Sequence, residues 1–301
     1  MSIIVQNLSK NFGSQKAVNQ ISFAVNQGQI TGFLGPNGAG KSTTLKMITG
    51  YIPADSGSIE VCGIPVTIDG VLTKHKIGYL PESNPLYSEM YIREYLCFVA
   101  EVYKVKAVKK RVEEVIQLIG LSKEVNKKIA QLSKGYKQRV GIAAALVHDP
   151  EVLILDEPTS GLDPNQILEI REIIKNLGKQ KTVLFSSHIM QEIEAVCDNV
   201  IIINKGEIVA NDKLSNLQKV NNETHAVSVE FKEKVSIDML KQITDVNSVH
   251  QIRDSFFTFD TNNPESVRRQ LLAFSLDKQL NIISLNSETK QLEDIFKLLT
   301  K

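Results

Sequence analysis

Gly35-Pro36-Asn37-Gly38-Ala39-Gly40-Lys41-Ser42-Thr43 decides how the rest of this chain is read. The stretch fits G-x-x-x-x-G-K-[ST], and its flanks supply the setting that pattern needs. A β pattern at Gln29–Leu34 runs into it, and a helical pattern from about Lys41 to Thr49 runs out. Glycines let successive backbone N–H groups wrap a phosphate, Lys41 reaches the terminal phosphate oxygens, and Ser42 is placed to ligate Mg²⁺. Gly35, Pro36, Asn37, Gly38, Ala39, Gly40, Lys41, Ser42 and Thr43 are therefore candidate contacts for a nucleoside triphosphate.

A phosphate loop needs a metal ligand and a base, and Val152-Leu-Ile-Leu-Asp156-Glu157 offers both. Four aliphatic residues ending in a carboxylate place Asp156 at a strand's C-terminal edge, where it can hold Mg²⁺ directly or through water. Glu157 follows at once and is placed to polarise an attacking water as general base. His188 ends the next strand pattern, Phe185-Ser-Ser-His188, and belongs at the same edge if the strands pair beside the phosphate loop.

Between these pieces the period of the pattern changes. Ile3–Leu8, Ile21–Val25 and Gln29–Leu34 read as short strands, with another near Ser58–Val61. From about 85 to 148 the spacing is helical, with Ile92, Tyr95, Leu96, Val99, Val102 and Tyr103 on one face and Val108, Val112, Val115, Ile116 and Ile119 on another. Strands at Val152–Leu155, Thr182–Ser186 and Val200–Ile203 then alternate with helices at Pro164–Leu177 and Ile189–Cys197. Asp163-Pro164 opens the first of these helices as N-cap and first helical residue. Continuous aliphatic strands alternating with helices predict a parallel sheet covered on both faces. Residues 213–301 carry a different pattern, with strands near Val227–Phe231, Phe257–Phe259 and Ile282–Leu285 and a closing helix through Leu292, Ile295, Phe296 and Leu299. This predicts two domains, 1–212 and a small α+β domain at 213–301, whose His225 and His250 read as isolated and structural.

Six features in this order resemble the ATP-binding cassette of ABC transporters: the phosphate loop, Gly78-Tyr-Leu-Pro-Glu82, Leu132-Ser-Lys-Gly-Tyr136, Asp156-Glu157, Ser160-Gly-Leu-Asp163 and His188. The resemblance covers about residues 1–212. It implies an α/β P-loop NTPase with a RecA-like parallel core, an N-terminal antiparallel β part and a helical insertion. It also implies that Phe12 stacks on adenine, that Val18 packs near the base or ribose, and that Asp163 belongs to the loop between two cassettes. Leu132–Tyr136 stands where the family has Leu-Ser-Gly-Gly-Gln, the signature that caps the ATP of a second subunit. Ser133 and Gly135 are kept, so phosphate capping in trans is implied. Lys134 replaces the first glycine and either adds charge attraction to phosphate or points to solvent. Tyr136 replaces the glutamine and puts its ribose-side contacts in doubt. Glu82 stands where glutamine is usual, offering Mg²⁺ a charged hard ligand in place of a neutral carbonyl.

More narrowly, Tyr79–Tyr91, Leu132–Arg139, Ser187–Glu192 and Leu292–Phe296 resemble the ATP-binding subunits associated with gliding motility in the Bacteroidetes. That implies ATP hydrolysis coupled to an integral membrane permease of the ABC-2 exporter type, a second cassette (a homodimer), and a place on the cytoplasmic face of the inner membrane. An ATPase that assembles envelope machinery or transmits force without moving a solute stays open as the alternative.

The whole chain limits the other classes. Its 301 residues suit about two domains, with 42% hydrophobic and 23% charged residues. Lys and Arg number 35 against 34 acidic residues, so net charge gives no argument for a nucleic-acid partner. Cys62, Cys97 and Cys197 show no metal spacing and read as reduced thiols. No apolar run approaches the roughly 18 residues that span a bilayer. A single cassette without sustained heptads argues against translation and DNA-repair ATPases, and Asn204-Lys-Gly-Glu207 reads as a hairpin turn, not a guanine-binding motif.

Overall fold

Runs of aliphatic residues with no polar face form the middle of a six-stranded sheet, because a parallel strand covered on both sides has nowhere to put a polar side chain. In the computed structural model, which describes residues 1–216, 225–240 and 242–289, the first elements build toward that sheet. Strands β1 (Ile3–Phe12), β2 (Gln15–Val25) and β3 (Ile30–Leu34) precede helix α1 (Lys41–Ile48). Then come β4 (Ser56–Val61), β5 (Ile64–Pro65), the short helix α2 (Val71–Lys76) and β6 (Ile77–Leu80). Helices α3 (Ile92–Val102), α4 (Val108–Ile119) and α5 (Lys134–Leu146) occupy the stretch of helical spacing. The order closes with β7 (Val152–Leu155), α6 (Pro164–Gly178), β8 (Thr182–Ser187), α7 (Met190–Val196), β9 (Asn199–Asn204) and β10 (Glu207–Lys213).

The six-stranded sheet runs β10-β9-β3-β8-β7-β6. All its neighbours are parallel except β10, which returns antiparallel on β9. Every residue of β3, β7 and β8 is buried. A second, antiparallel sheet, β2-β1-β4-β5, shares a core with α1: Ile3, Val5, Leu8 and Phe23 pack in one cluster with Phe33, Leu45 and Ile48. Because β3 lies between β8 and β9, with β7 beyond β8, the loops that follow β3, β7 and β8 open at one edge. Ligands of open α/β sheets bind at such an edge.

Gly78–Leu80 lie in the outer strand β6, paired in parallel with β7 from Ile77↔Val152 to Leu80↔Leu155, and Glu82 follows its end. One expectation needs correcting here. Val102 does not join the buried face of α3. It is 63% exposed, whereas Ile92, Tyr95, Leu96 and Ala100 are buried. At 3.6 residues per turn Ala100 continues the stripe that Ile92 and Leu96 begin, and Val102 falls on its flank.

Among the described residues, those from Leu214 onward form a separate compact unit. Strands β11 (His225–Phe231), β12 (Ser248–Arg253), β13 (Phe256–Thr261) and β14 (Ile282–Thr289) order as β12-β13-β11-β14, with a short helix at Ile237–Leu240 and a longer one at Pro264–Asp277. This is a β-α-β-β-α-β arrangement. Strict alternation buries Val227, Val229, Phe231, Phe257 and Phe259 against Val267, Leu271 and Phe274. His250 is not isolated: its Nε2 lies 3.1 Å from Ser248 Oγ, and Ser248 donates to Asp260 Oδ2 at 2.7 Å. The closing helix expected over Leu292–Leu299 lies outside the described residues.

His148, just past α5, joins the helical insertion to the sheet. Its ring stacks on Tyr103 at 3.8 Å between centroids and 6° between planes, and Nε2 meets the Ile77 carbonyl at 3.0 Å. Burial pulls its pKa from 6.5 down to about 4, a pull that the Ile77 hydrogen bond only partly opposes. The folded protein therefore holds a neutral ring over a range in which the unfolded chain takes up a proton. Stability from this group is complete above about pH 6.5 and drains away as pH falls to about 4. Urea denaturation of the parent should show a steeper loss across that window than His148→Phe, which keeps the stack and cannot titrate. Parallel pH profiles for the two proteins would contradict this.

Candidate active site

Where β3 ends at Leu34 the chain wraps back on itself and re-enters as α1. Gly40 turns that corner at φ 107, and a Cβ there would run into the Ala17 carbonyl of β2, so only glycine fits. The wrap folds Lys41 inward. Its side chain is 6% exposed, and its ammonium donates to Gly35 O at 2.7 Å and Pro36 O at 3.2 Å. The third neighbour is Glu157, whose Oε1 lies 3.3 Å away.

Glu157 arrives from the end of β7, its backbone held at φ 47, in the left-handed region that non-glycine residues rarely adopt. Its other oxygen, Oε2, sits 2.9 Å from His188 Nδ1. One buried carboxylate is thus gripped on both sides, by Lys41 from the loop and by His188 from the end of β8. Asp156, one residue earlier, faces Ser42: Ser42 Oγ donates to Asp156 Oδ1 at 3.0 Å. Ser186 Oγ donates to the same oxygen at 2.7 Å and accepts the Glu157 N–H at 2.9 Å. Asp156 Oδ2 is buried with no hydrogen-bond partner among the described residues. An orphaned carboxylate oxygen is expensive unless something cationic completes it. Hard oxygen donors on Ser42 and Asp156, with Glu82 nearby, fit Mg²⁺, provided that nucleotide oxygens and water supply the other positions.

A cavity of about 440 Å³ lies over this network. Phe12, Asn37, Gly38, Gly40, Lys41, Ser42, Thr43, Glu82 and Glu157 line it, together with Gln15 and Ala17. Phe12 is 54% exposed at the rim, with the Lys10 ammonium 5.7 Å from its ring centroid, and is not a core residue. Gly35, Pro36 and Ala39 form the back of the loop: Gly35 N–H donates to Ser187 O at 3.3 Å, Pro36 O accepts from Lys41, and Ala39 is buried. Val18 is a correction. It is fully buried in the core, because alternation along β2 turns Ala17 toward the cavity and Val18 away from it.

This geometry has close counterparts. The ABC transporter family matches residues 18–160. The linearmycin resistance ATP-binding protein of Bacillus subtilis is 36% identical over 98% of this chain and 97% of its own length. The bacitracin transport ATP-binding protein of Bacillus licheniformis is 34% identical over 98% and 97%. This chain belongs to the ATP-binding subunits of ABC transporters. It is an ABC-type ATPase, and the dimeric structure of a bacterial ABC transporter cassette shares its fold at a TM-score of 0.65, 25% identical, over 70% of this chain and 98% of that one.

The signature of this cassette stands apart from its phosphate loop. Ser133 caps α5, accepting the Tyr136 N–H at 3.4 Å, and is exposed. Gly135 is buried against α6, where any Cβ would lie 2.6 Å from Gln166 Cδ. Neither lines the 440 Å³ cavity. Lys134 is exposed, runs beside Gly161, and borders a smaller hollow of about 310 Å³ with Glu82, Asp156 and Glu157. Tyr136 lies under Arg139, 5.3 Å from ring centroid to guanidinium. Asp163 caps α6, accepting the Gln166 N–H at 3.0 Å.

Sequence reasoning missed Ser186, Ser187, Thr159 and Glu192. For the serines the signal was available: Ser186 and Ser187 end a buried strand immediately before His188, and buried hydroxyls must have partners.

Proposed function

We propose that this ATPase drives a separate membrane permease of the exporter class by pairing with a second cassette, a homodimer, around two ATP molecules. One observation carries the reading: Glu157 is held between Lys41 and His188, beside Asp156, under a cavity shaped by a phosphate loop. In this reading adenine stacks on Phe12, the loop amides wrap the β-phosphate, and Lys41 takes the β/γ oxygens. Phosphate then competes with Glu157 for the Lys41 ammonium. Freed of that ion pair, Glu157 is available to the attacking water, and His188 keeps it oriented. Glu157 accepts a proton from water as the water oxygen bonds to the γ-phosphorus and the bond to the β,γ-bridging oxygen breaks, leaving ADP and phosphate. Ser42, Asp156 and Glu82 would hold Mg²⁺, which when bound neutralises charge on the phosphates.

Support for the second subunit comes from the separation of the two cradles: Ser133 and Gly135 line no part of their own ATP cavity, and Ser133 stands exposed at the start of α5, a helix N-terminus suited to another chain's γ-phosphate. The related cassette is dimeric. Support for the permease comes from a hollow of about 350 Å³ lined by Tyr51, Ile68, Tyr79 and Tyr103, with Tyr51 72% exposed and Ile68 47% exposed. Exposed apolar groups around a hollow suit a protein partner. No helix among the described residues is long and apolar enough to cross a membrane, so in this reading the chain is bound to the permease at the cytoplasmic face of the inner membrane. Relatives named for linearmycin resistance and bacitracin transport support export. The gliding-motility association rests on the resemblance of Tyr79–Tyr91, Leu132–Arg139, Ser187–Glu192 and Leu292–Phe296; a strain of the native host that lacks this chain yet glides normally would remove it.

Glu157→Gln preserves shape and removes the base. Turnover should fall about 100-fold or more while ATP still binds, and size-exclusion chromatography in ATP and Mg²⁺ should show an accumulated dimer. Parental turnover in Glu157→Gln would move the base elsewhere, with His188 the first suspect.

A further inference from the structure

Glu192, in the first turn of α7, is a carboxylate 2% exposed in the interior of an ATPase whose chemistry does not touch it. Burying a carboxylate is costly unless its oxygens are met by donors. Both are: Thr159 Oγ1 donates to Oε1 at 2.6 Å and Ser187 Oγ donates to Oε2 at 2.6 Å. Hydrogen bonds of that length to an ionised acceptor are the strong, charge-assisted kind. The two donors come from different strands' ends. Thr159 stands two residues after Glu157 and Ser187 one residue before His188.

Each donor is tied in turn to the backbone near the reacting groups. Ser187 Oγ accepts the Ile189 N–H at 3.0 Å, so its hydroxyl closes a turn around His188. The Ser187 carbonyl accepts the Gly35 N–H, the first amide of the phosphate loop. On the other side, Ser160 N–H donates to Glu157 O at 3.1 Å and Leu162 N–H to Thr159 O at 3.2 Å, so Thr159 lies inside the turn that leaves Glu157. Thr159 is 4% exposed and Ser187 fully buried, so water cannot readily replace either bond.

We propose that Glu192 is a positioning residue that clamps the Glu157 turn to the His188 turn, and thereby holds His188 Nδ1 on Glu157 Oε2 for hydrolysis. It does not line the 440 Å³ cavity. It acts through the pair it brackets. Ser186 secures the same pair from the opposite side, through Asp156 Oδ1 and the Glu157 amide. The clamp is built from one charge and two hydroxyls, so it weakens when either hydroxyl is removed without any change of shape.

This inference rests on Glu157 being the base, and the test separates the two. Thr159→Val removes one donor at constant shape, and Thr159→Ser restores it; Glu192→Gln removes the charge. Steady-state turnover, ATP affinity by equilibrium binding, and a crystal structure of Thr159→Val are measured, with Glu157→Gln as control. Thr159→Val and Glu192→Gln should lower kcat about tenfold or more, as expected for misplaced reacting groups, with ATP affinity unchanged. Thr159→Ser should return to the parental kcat, and the Thr159→Val structure should show His188 withdrawn from Glu157. Parental kcat in Thr159→Val, equal losses of affinity and kcat, or an intact 2.9 Å His188–Glu157 contact in a slowed variant would each overturn the clamp. If Glu157→Gln itself keeps parental turnover, it is the assignment of the base that fails.

Discussion

The buried ion pair between Lys41 and Glu157 is the constraint on which the rest of the site depends. Two charges that are 6% and 7% exposed, 3.3 Å apart, cost more to desolvate than their attraction returns unless every remaining donor and acceptor is met. Lys41 meets this demand with two loop carbonyls and Glu157 with His188. Holding those partners in register requires three strand ends at one edge, and β3, β8 and β7 supply it by lying side by side. The aliphatic core beneath makes that edge rigid. The glycines above it let the loop fold tightly enough for Lys41 to turn back.

The same constraint bears on the proposed function: the Lys41 ammonium is already shared among Gly35 O, Pro36 O and Glu157, and a bound triphosphate would compete with Glu157 for it. Asp156 is divided in a similar way: one oxygen is saturated by Ser42 and Ser186, and the other is buried without a hydrogen-bond partner among the described residues.

Much of this was legible because it is local. The phosphate loop, the aliphatic strand before Asp156 and the Asp163-Pro164 helix start each declare themselves within a few residues, and each takes the expected form. What was not legible depends on partners distant in the chain. β6 is four residues long and contains a glycine, so it shows itself as a strand only through β7, about 75 residues away. Val18 faces the core and Ala17 the cavity, a one-residue choice set by where β2 meets Gly40. Glu192 resembles any helix-surface glutamate until Thr159 and Ser187 close over it.

Tyr136 and Lys134 depart from the family's signature, yet both have local settings here: Tyr136 packs with Arg139, and Lys134 borders a hollow with Glu82, Asp156 and Glu157 of its own chain. Ser133 caps α5 and Gly135 packs against Gln166, both outside the ATP cavity, and in the proposed divided site they would serve the neighbour's ATP. The direct test is to mix two inactive variants, Lys41→Ala and Ser133→Arg, after the parent has been shown to dimerise in ATP. In a mixed dimer one composite site carries both lesions and the other carries none. The account predicts that ATP-driven closure and part of the ATPase activity return on mixing. If mixed dimers form and neither returns, the signature does not serve the neighbour's ATP and the divided site is wrong.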